Sequence, residues 1–303
     1  MAYLWRRAMA LLWVGLIMSC VSVGQQREWT MQERAEQWPV ETVVYKSSDH
    51  GDLSLHVRKP RDWRPEDRRA AIIFFFGGGW NAGSPTQFAP QAAYFAERGL
   101  VTFCADYRVK SRHGVMADVC VQDAKSAMRY LRGHARDYGI DPHRIVAAGG
   151  SAGGHLALCC AFIQEVNNPA DDLSISPVPD AVIGFNPVPN LVDIERPRSR
   201  IPDSETALSI SPRHHLRAEA PPLLIFIGTR DLLYDFVLDF VAEAGRFDNR
   251  VELCVDEGQP HGYFNRSPWL ERTTLRANAF LTSLGYFEED AARLRTDPIV
   301  KDQ

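Results

Sequence analysis

The chain has little of what marks a nucleic-acid binder, a disulfide scaffold or a metalloprotein. Lysine and arginine number 34 against 38 aspartate and glutamate residues, a net charge of −4 over 303 residues. No basic run stands out, so a polyanion has no surface to lie on and nucleic acid is excluded as a partner. Six cysteines are few for this length. With Cys20 assigned to the N-terminal leader, Cys104, Cys120, Cys159, Cys160 and Cys254 remain in apolar segments, an odd set that reads as buried thiols. Cys104 and Cys120 bracket one loop and can pair in an oxidising compartment, although spacing fixes no connectivity. His214-His215 lacks the i, i+4 partner and the acid of a zinc helix, so no metal is expected. Neither a repeat nor a second domain is visible. The length suits one large core, and residues 25–303 are expected to form a single domain.

Residues 1–24 form the one conspicuous apolar stretch. Arg6-Arg7 precedes a run at 8–18 of about the length of the hydrophobic region of an export signal. Cleavage after Gly24 is expected, ahead of Gln25-Gln26, and would take the net charge to −6 by removing Arg6 and Arg7. Ile17-Met18-Ser19-Cys20 also approximates a lipoprotein box, which would anchor the chain through Cys20. An uncleaved membrane anchor is the third reading, because the run extends to Val23. Export to the periplasm or the exterior, with or without a lipid anchor, is the expectation. No other membrane contact is expected.

Downstream, apolar runs and helical patterns alternate. Strands are expected at 42–46 and 53–58, joined as a hairpin across Asp49-His50-Gly51-Asp52, and then at 71–76, 100–104, 144–148, 181–185, 223–227 and 250–255. Residues 116–138 carry Val119, Ala124, Ala127, Met128 and Leu131 at helical spacing. Such alternation argues for an α/β fold, a mostly parallel central sheet with helices on both faces. Residues 167–180 and 186–215 are irregular, where a lid or substrate loop could sit.

Gly149-Gly150-Ser151-Ala152-Gly153 falls between the 144–148 strand and a helix-prone segment. A serine in so tight a strand-to-helix turn has an exposed hydroxyl beside the positive end of a helix, and the flanking residues must be tiny. Serine is a weak nucleophile until a base takes its proton, and imidazole, held by a carboxylate, suits that task. Chain order supplies both. Asp231 lies in the loop leaving the 223–227 strand, and His261 in the loop after 250–255. Asp235 and Asp239 compete for the acid role but fall one and two turns into a helical segment at 232–247. His155, inside the helix after the turn, reads as a packing or hydrogen-bonding residue. The remaining histidines, His50, His56, His113, His134, His143, His214 and His215, read as surface or satisfied core residues.

A further glycine run, Gly77-Gly78-Gly79-Trp80, follows the 71–76 strand, where bare backbone can turn its N–H groups toward a ligand. No Lys-Ser/Thr pair follows it, which argues against a nucleotide loop.

With these motifs the chain, over residues 42–284, resembles the α/β-hydrolase serine esterases of the hormone-sensitive-lipase-like group and the bacterial acetyl-xylan and feruloyl (BD-FAE-like) esterases. The resemblance implies Ser151 as nucleophile, Asp231 as acid, His261 as base, and the N–H groups of Gly78, Gly79 and Ala152 as oxyanion donors. It implies no cofactor. Asp106-Tyr107-Arg108 resembles the family's Asp-Tyr-Arg stretch and reads as scaffold. One position departs from the pattern: Phe76 stands where the family usually has histidine before the glycines.

Together these features give an expected exported carboxylesterase that removes a short acyl group, acetyl foremost, from a carbohydrate or other alcohol through an acyl-enzyme. Trp80, Tyr263 and Phe264 flank the glycine loop and the base, and are candidates to stack on a sugar or pack an acyl chain. A peptidase or amidase of the same fold and an inactive hydrolase-like binding module are the alternatives.

Overall fold

The computed structural model describes residues 30–194 and 199–287. The expected leader at 1–24 lies outside the described residues. Helix α1 (Met31–Gln37) leads into the hairpin β1 (Glu41–Ser48) and β2 (Gly51–Arg58). There follow β3 (Arg69–Phe75), α2 (Ala89–Glu97), β4 (Val101–Ala105), α3 (Lys110–His113), α4 (Ala117–Gly133), β5 (Ile140–Gly150) and α5 (Ala152–Phe162). The chain continues through β6 (Ala181–Phe185), α6 (Ser204–Ser209), β7 (Leu223–Gly228), α7 (Tyr234–Gly245), β8 (Val251–Asp256) and α8 (Trp269–Ser283). The strands form one sheet in the order β1-β2-β4-β3-β5-β6-β7-β8. The two pairings made by β2, with β1 and with β4, are antiparallel, and the rest are parallel.

The continuous apolar strands are explained by helices on both sides. Ile73 and Phe75 of β3 face a core shared with Val121 and Ala124 of α4, Leu156 of α5 and Phe240 of α7. Ile72 and Phe74 face the opposite way, toward Ala92 and Phe95 of α2 and Ala277 and Phe280 of α8. A strand buried on both faces needs no polar alternation.

Most strands end within one or two residues of the sequence reading, and three boundaries have a physical reason for their place. Strand β5 begins at Ile140, which pairs with Arg69 ahead of a register shift, so pairing reaches back beyond the apolar run. Helix α4 stops at Gly133, and the chain then turns back through Gly139, at φ +60°, into β5. Helix α7 starts at Tyr234 because Asp231 closes the preceding turn, its carboxylate accepting from the Leu233 N–H (3.0 Å) and its carbonyl from the Tyr234 N–H (3.1 Å).

Cys104 and Cys120 are both buried and free. They pack into the cores on opposite faces of the sheet, so the pairing considered from spacing is ruled out by the sheet between them. Residues 167–180 contain no helix or strand. The 186–215 stretch carries α6 and a 3-10 turn at Pro212–His215, and residues 195–198 within it lie outside the described set. Buried Leu191, Ile201 and Ile210 seat it on the body, and Arg200 pins it by accepting the Ala117 N–H at the start of α4 (3.0 Å).

Helix α5 is fastened at its far end by a buried cation. Lys125 of α4 donates to the carbonyls of Ile163 (2.9 Å), Gln164 (3.2 Å) and Glu165, the cap residue and the two that follow it at the negative end of the helix. The opposite end is therefore left to the site described next.

Candidate active site

Ser151 joins β5 to α5 with φ +53° and ψ −117°, a conformation that costs an L-residue about 1–3 kcal/mol. Its neighbours hold it there. The Ser151 N–H donates to Phe185 of β6 (2.9 Å), and its carbonyl accepts from the His155 N–H (2.9 Å). A Cβ on Gly153 would stand 2.0 Å from the Phe75 carbonyl oxygen, and one on Gly149 would stand 2.3 Å from that of Gly153. Only backbone fits between strand and helix at this turn.

The ends of β7 and β8 bring two more groups to the hydroxyl. His261 Nε2 lies 2.9 Å from Ser151 Oγ, and His261 Nδ1 lies 2.8 Å from Asp231 Oδ2. A carboxylate can only accept, so Nδ1 carries the proton and Nε2 is left as an acceptor for the serine hydroxyl. The Asp231 side chain is 1% exposed, the His261 side chain 44%. Thus a buried acid orients an imidazole that opens to solvent and substrate. Asp235 and Asp239 are exposed on α7, and Asp239 lies 3.7 Å from Arg213.

The glycine loop runs against the serine. A Cβ on Gly77 would come within 3.4 Å of the Ser151 Cβ, and the Gly77 N–H is held by Gln87 Oε1 (2.6 Å). Gly78 and Gly79 take φ +125° and +61°, and the Gly78 carbonyl accepts from Asn81 and Ala82. Among the described residues, the N–H groups of Gly78, Gly79 and Ala152 have no acceptor. Three donors beside a nucleophile can receive an oxyanion. Phe76 is buried, its ring stacked on Tyr107 at 4.0 Å between centroids, while the Tyr107 hydroxyl donates to the Phe76 carbonyl (2.7 Å). The family's usual histidine is thus replaced by apolar stacking that braces the loop from below.

The BD-FAE family model matches residues 63–236. The chain belongs to the BD-FAE family. It is similar to solved structures of Thermogutta terrifontis esterase 2, with a TM-score of 0.79 and 45% identity over 83% of this chain and 97% of that one for the form phosphoramylated by tabun. Among curated proteins it is 26% identical over 245 residues to a probable isoprenylcysteine alpha-carbonyl methylesterase of Arabidopsis thaliana, covering 73% of this chain and 50% of that one. It is 29% identical over 281 residues to Lipase 2 of a Moraxella species, covering 77% and 64% respectively. The chain therefore spans between half and two thirds of these two relatives. Fold and family together identify an α/β-hydrolase serine esterase of the hormone-sensitive-lipase-like group.

The three aromatic candidates are corrected by the structure as platforms for a sugar. Trp80 is 4% exposed, Tyr263 4% and Phe264 1%, so none offers a face to a sugar. The Trp80 indole donates to His155 Nδ1 (3.2 Å), and the Tyr263 hydroxyl donates to buried Asp256. Phe264 packs with Phe88 and Phe185 and fills the space a side chain at Gly150 would need. These rings support the site from behind.

Asn186 was not visible as a functional residue in the sequence. It follows β6 at φ +49°, fully buried, and its Nδ2 donates to Asp231 Oδ2 (2.7 Å). The Leu233 N–H occupies the other oxygen, so the carboxylate is fixed on both sides before it meets His261. A polar residue at the carboxyl end of a buried parallel strand was the available signal. Asn186→Leu is expected to lower kcat about 10- to 100-fold through misalignment of the acid, with KM changed less than about twofold. Steady-state kinetics on a short-chain ester measure that split, and a rise in KM at constant kcat would contradict it.

His155 joins three segments. The Trp80 indole can only donate, so Nδ1 is the acceptor and Nε2–H donates to the Ile210 carbonyl (2.6 Å). Burial lowers its pKa from 6.5 to about 4. The folded protein therefore binds fewer protons than the unfolded chain between these values. Stability from this group is full above pH 6.5 and is lost as pH falls toward 4, by about 3 kcal/mol in all. His155→Phe should remove that component. Denaturant titrations at pH 7 and 4 are expected to show a smaller acid loss for the variant than for the parent, and equal losses would contradict it.

Proposed function

We propose that this protein is an exported carboxylesterase that hydrolyses short-chain acyl esters, acetyl esters among them, by way of a Ser151 acyl-enzyme. The observation that carries the reading is the continuous chain from Asp231 through His261 to Ser151, at 2.8 and 2.9 Å, ending beside three N–H groups that have no acceptor among the described residues.

In this mechanism Ser151 Oγ attacks the ester carbonyl carbon while its proton passes to His261 Nε2. The carbonyl oxygen becomes an alkoxide held by the N–H groups of Gly78, Gly79 and Ala152. Asp231 keeps the Nδ1 proton in place and stabilises the imidazolium. Collapse of the tetrahedral intermediate breaks the bond to the alcohol, which leaves with the proton from Nε2. Water, deprotonated by the same nitrogen, then releases the acid and restores the serine. Each true oxyanion donor contributes about 3–4 kcal/mol in such reactions. No cofactor enters the scheme.

Short acyl chains are supported by Thermogutta terrifontis esterase 2, which has been solved with propionate bound and with butyrate bound. A carbohydrate alcohol rests on the family resemblance and on the leader, since the buried aromatics offer no sugar platform.

Ser151→Ala and His261→Ala are each expected to bring turnover of p-nitrophenyl acetate to near background with the fold intact, because the groups act as a unit. Paraoxon should add one phosphoryl group per parent chain, seen by intact mass, and none to Ser151→Ala. Retention of most activity by Ser151→Ala would end this reading. Expressed from its first methionine in a Gram-negative host, the protein should be recovered outside the cytoplasm with an N-terminus near Gln25. A lipid-modified Cys20 or an intact Met1 would replace cleavage at Gly24 with one of the two anchored forms.

A further inference from the structure

We propose that Arg200 selects substrates that carry a carboxylate close to the ester. The inference rests on the esterase reading and narrows its substrate class to anionic esters.

The guanidinium of Arg200 lies against the proposed oxyanion loop. A Cβ built on Gly79 would come 3.3 Å from its Nη1 and 3.9 Å from its Cζ. Glycine at 79 therefore does two things: it allows the left-handed backbone at φ +61° and leaves room for the cation beside it. The Arg200 backbone is pinned through its carbonyl to the start of α4, and the next residue, Ile201, is fully buried. The placement is thus set by the body of the protein.

Its state of pairing sets this arginine apart from its neighbours. Arg108 is paired with Asp123 at 2.7 Å, Arg112 with Asp106 at 2.7 Å and Arg213 with Glu243 at 2.9 Å. Among the described residues Arg200 has no ion pair and no side-chain hydrogen bond, and its Nε is buried with no acceptor. A guanidinium is a planar fork of donors matched to a carboxylate, and a buried donor without a partner is unfavourable. A substrate carboxylate would supply an acceptor to Nη1, the end of the fork that lies beside Gly79. A neutral alkyl ester would not.

The carboxylate can sit on either side of the scissile bond. On the acyl side it would belong to the half-ester of a dicarboxylic acid, on the alcohol side to an acylated uronic or hydroxy acid. Two pairs of esters separate these sources. The acyl-side pair is p-nitrophenyl hydrogen glutarate with p-nitrophenyl pentanoate, and the alcohol-side pair is 4-acetoxybenzoate with phenyl acetate.

In Arg200→Gln, kcat/KM for the anionic ester relative to its neutral partner should fall at least about tenfold in one pair, through KM, whatever change the neutral ester shows. Arg200→Lys should keep part of the preference, since charge remains while the fork is lost. Raising ionic strength from about 0.05 to 0.5 M should depress the parent's rate on the anionic ester and leave that of Arg200→Gln nearly flat. An unchanged ratio in both pairs would overturn the proposal. So would a parallel fall on neutral and anionic esters, which would make Arg200 a brace for the loop at Gly79. In both cases turnover of neutral esters by the parent leaves the esterase reading standing, whereas a parent inactive on all four esters removes both.

Discussion

The approach of β5 to α5 at Ser151 is closer than side chains permit, and most of the site follows from that one constraint. Because a Cβ on Gly149 or Gly153 would overlap backbone atoms, the turn is built from main chain alone and the serine is forced to φ +53°. Strain of about 1–3 kcal/mol at one residue survives only when the surroundings over-determine it. Here they do so through the Phe185 carbonyl on the sheet side, the His155 N–H on the helix side and Lys125 at the far end of the helix. The close approach also draws the glycine loop against the serine, since Gly77 has room for no side chain between Gly150 and Ser151.

Much of this was legible in the chain because it depends on local pattern. Continuous apolar runs marked the buried parallel strands, and Asp49-His50-Gly51 marked the hairpin turn that joins β1 to β2. Acid and base could be found from order alone: each follows a strand, and parallel strands deliver the loops at their carboxyl ends to one rim. Strand and helix limits were less legible. Ile140 enters β5 because Arg69 is there to pair with it, and no local signal carries that fact.

What could not be read was which way a side chain points once the layers close. Trp80, Tyr263 and Phe264 sit beside the glycine loop and the base in sequence, yet all three turn inward. An aromatic next to a site is as well suited to support its wall as to form it. The polar supports were hidden for a related reason. Asn186 reaches Asp231 across 45 positions, Trp80 reaches His155 across 75, and His155 reaches Ile210 across 55. Asn186 and Ile210 meet their partners only when β6, β7 and the long link between them are in place, and Trp80 meets His155 only when β3 and β5 lie side by side, so none has a spacing to recognise.

The contact beneath the glycine loop bears on how such a site can change over time. Tyr107 grips the loop through the carbonyl oxygen of residue 76, an atom that every amino acid possesses. The side chain at 76 is thereby released from the duty of aligning the peptide that follows it. It can drift between polar and apolar identities as long as it fits between Tyr107 and the bare face of Gly83. A lineage can thus lose a histidine at this point and keep its loop, because the instruction resides in the tyrosine and is read by the main chain.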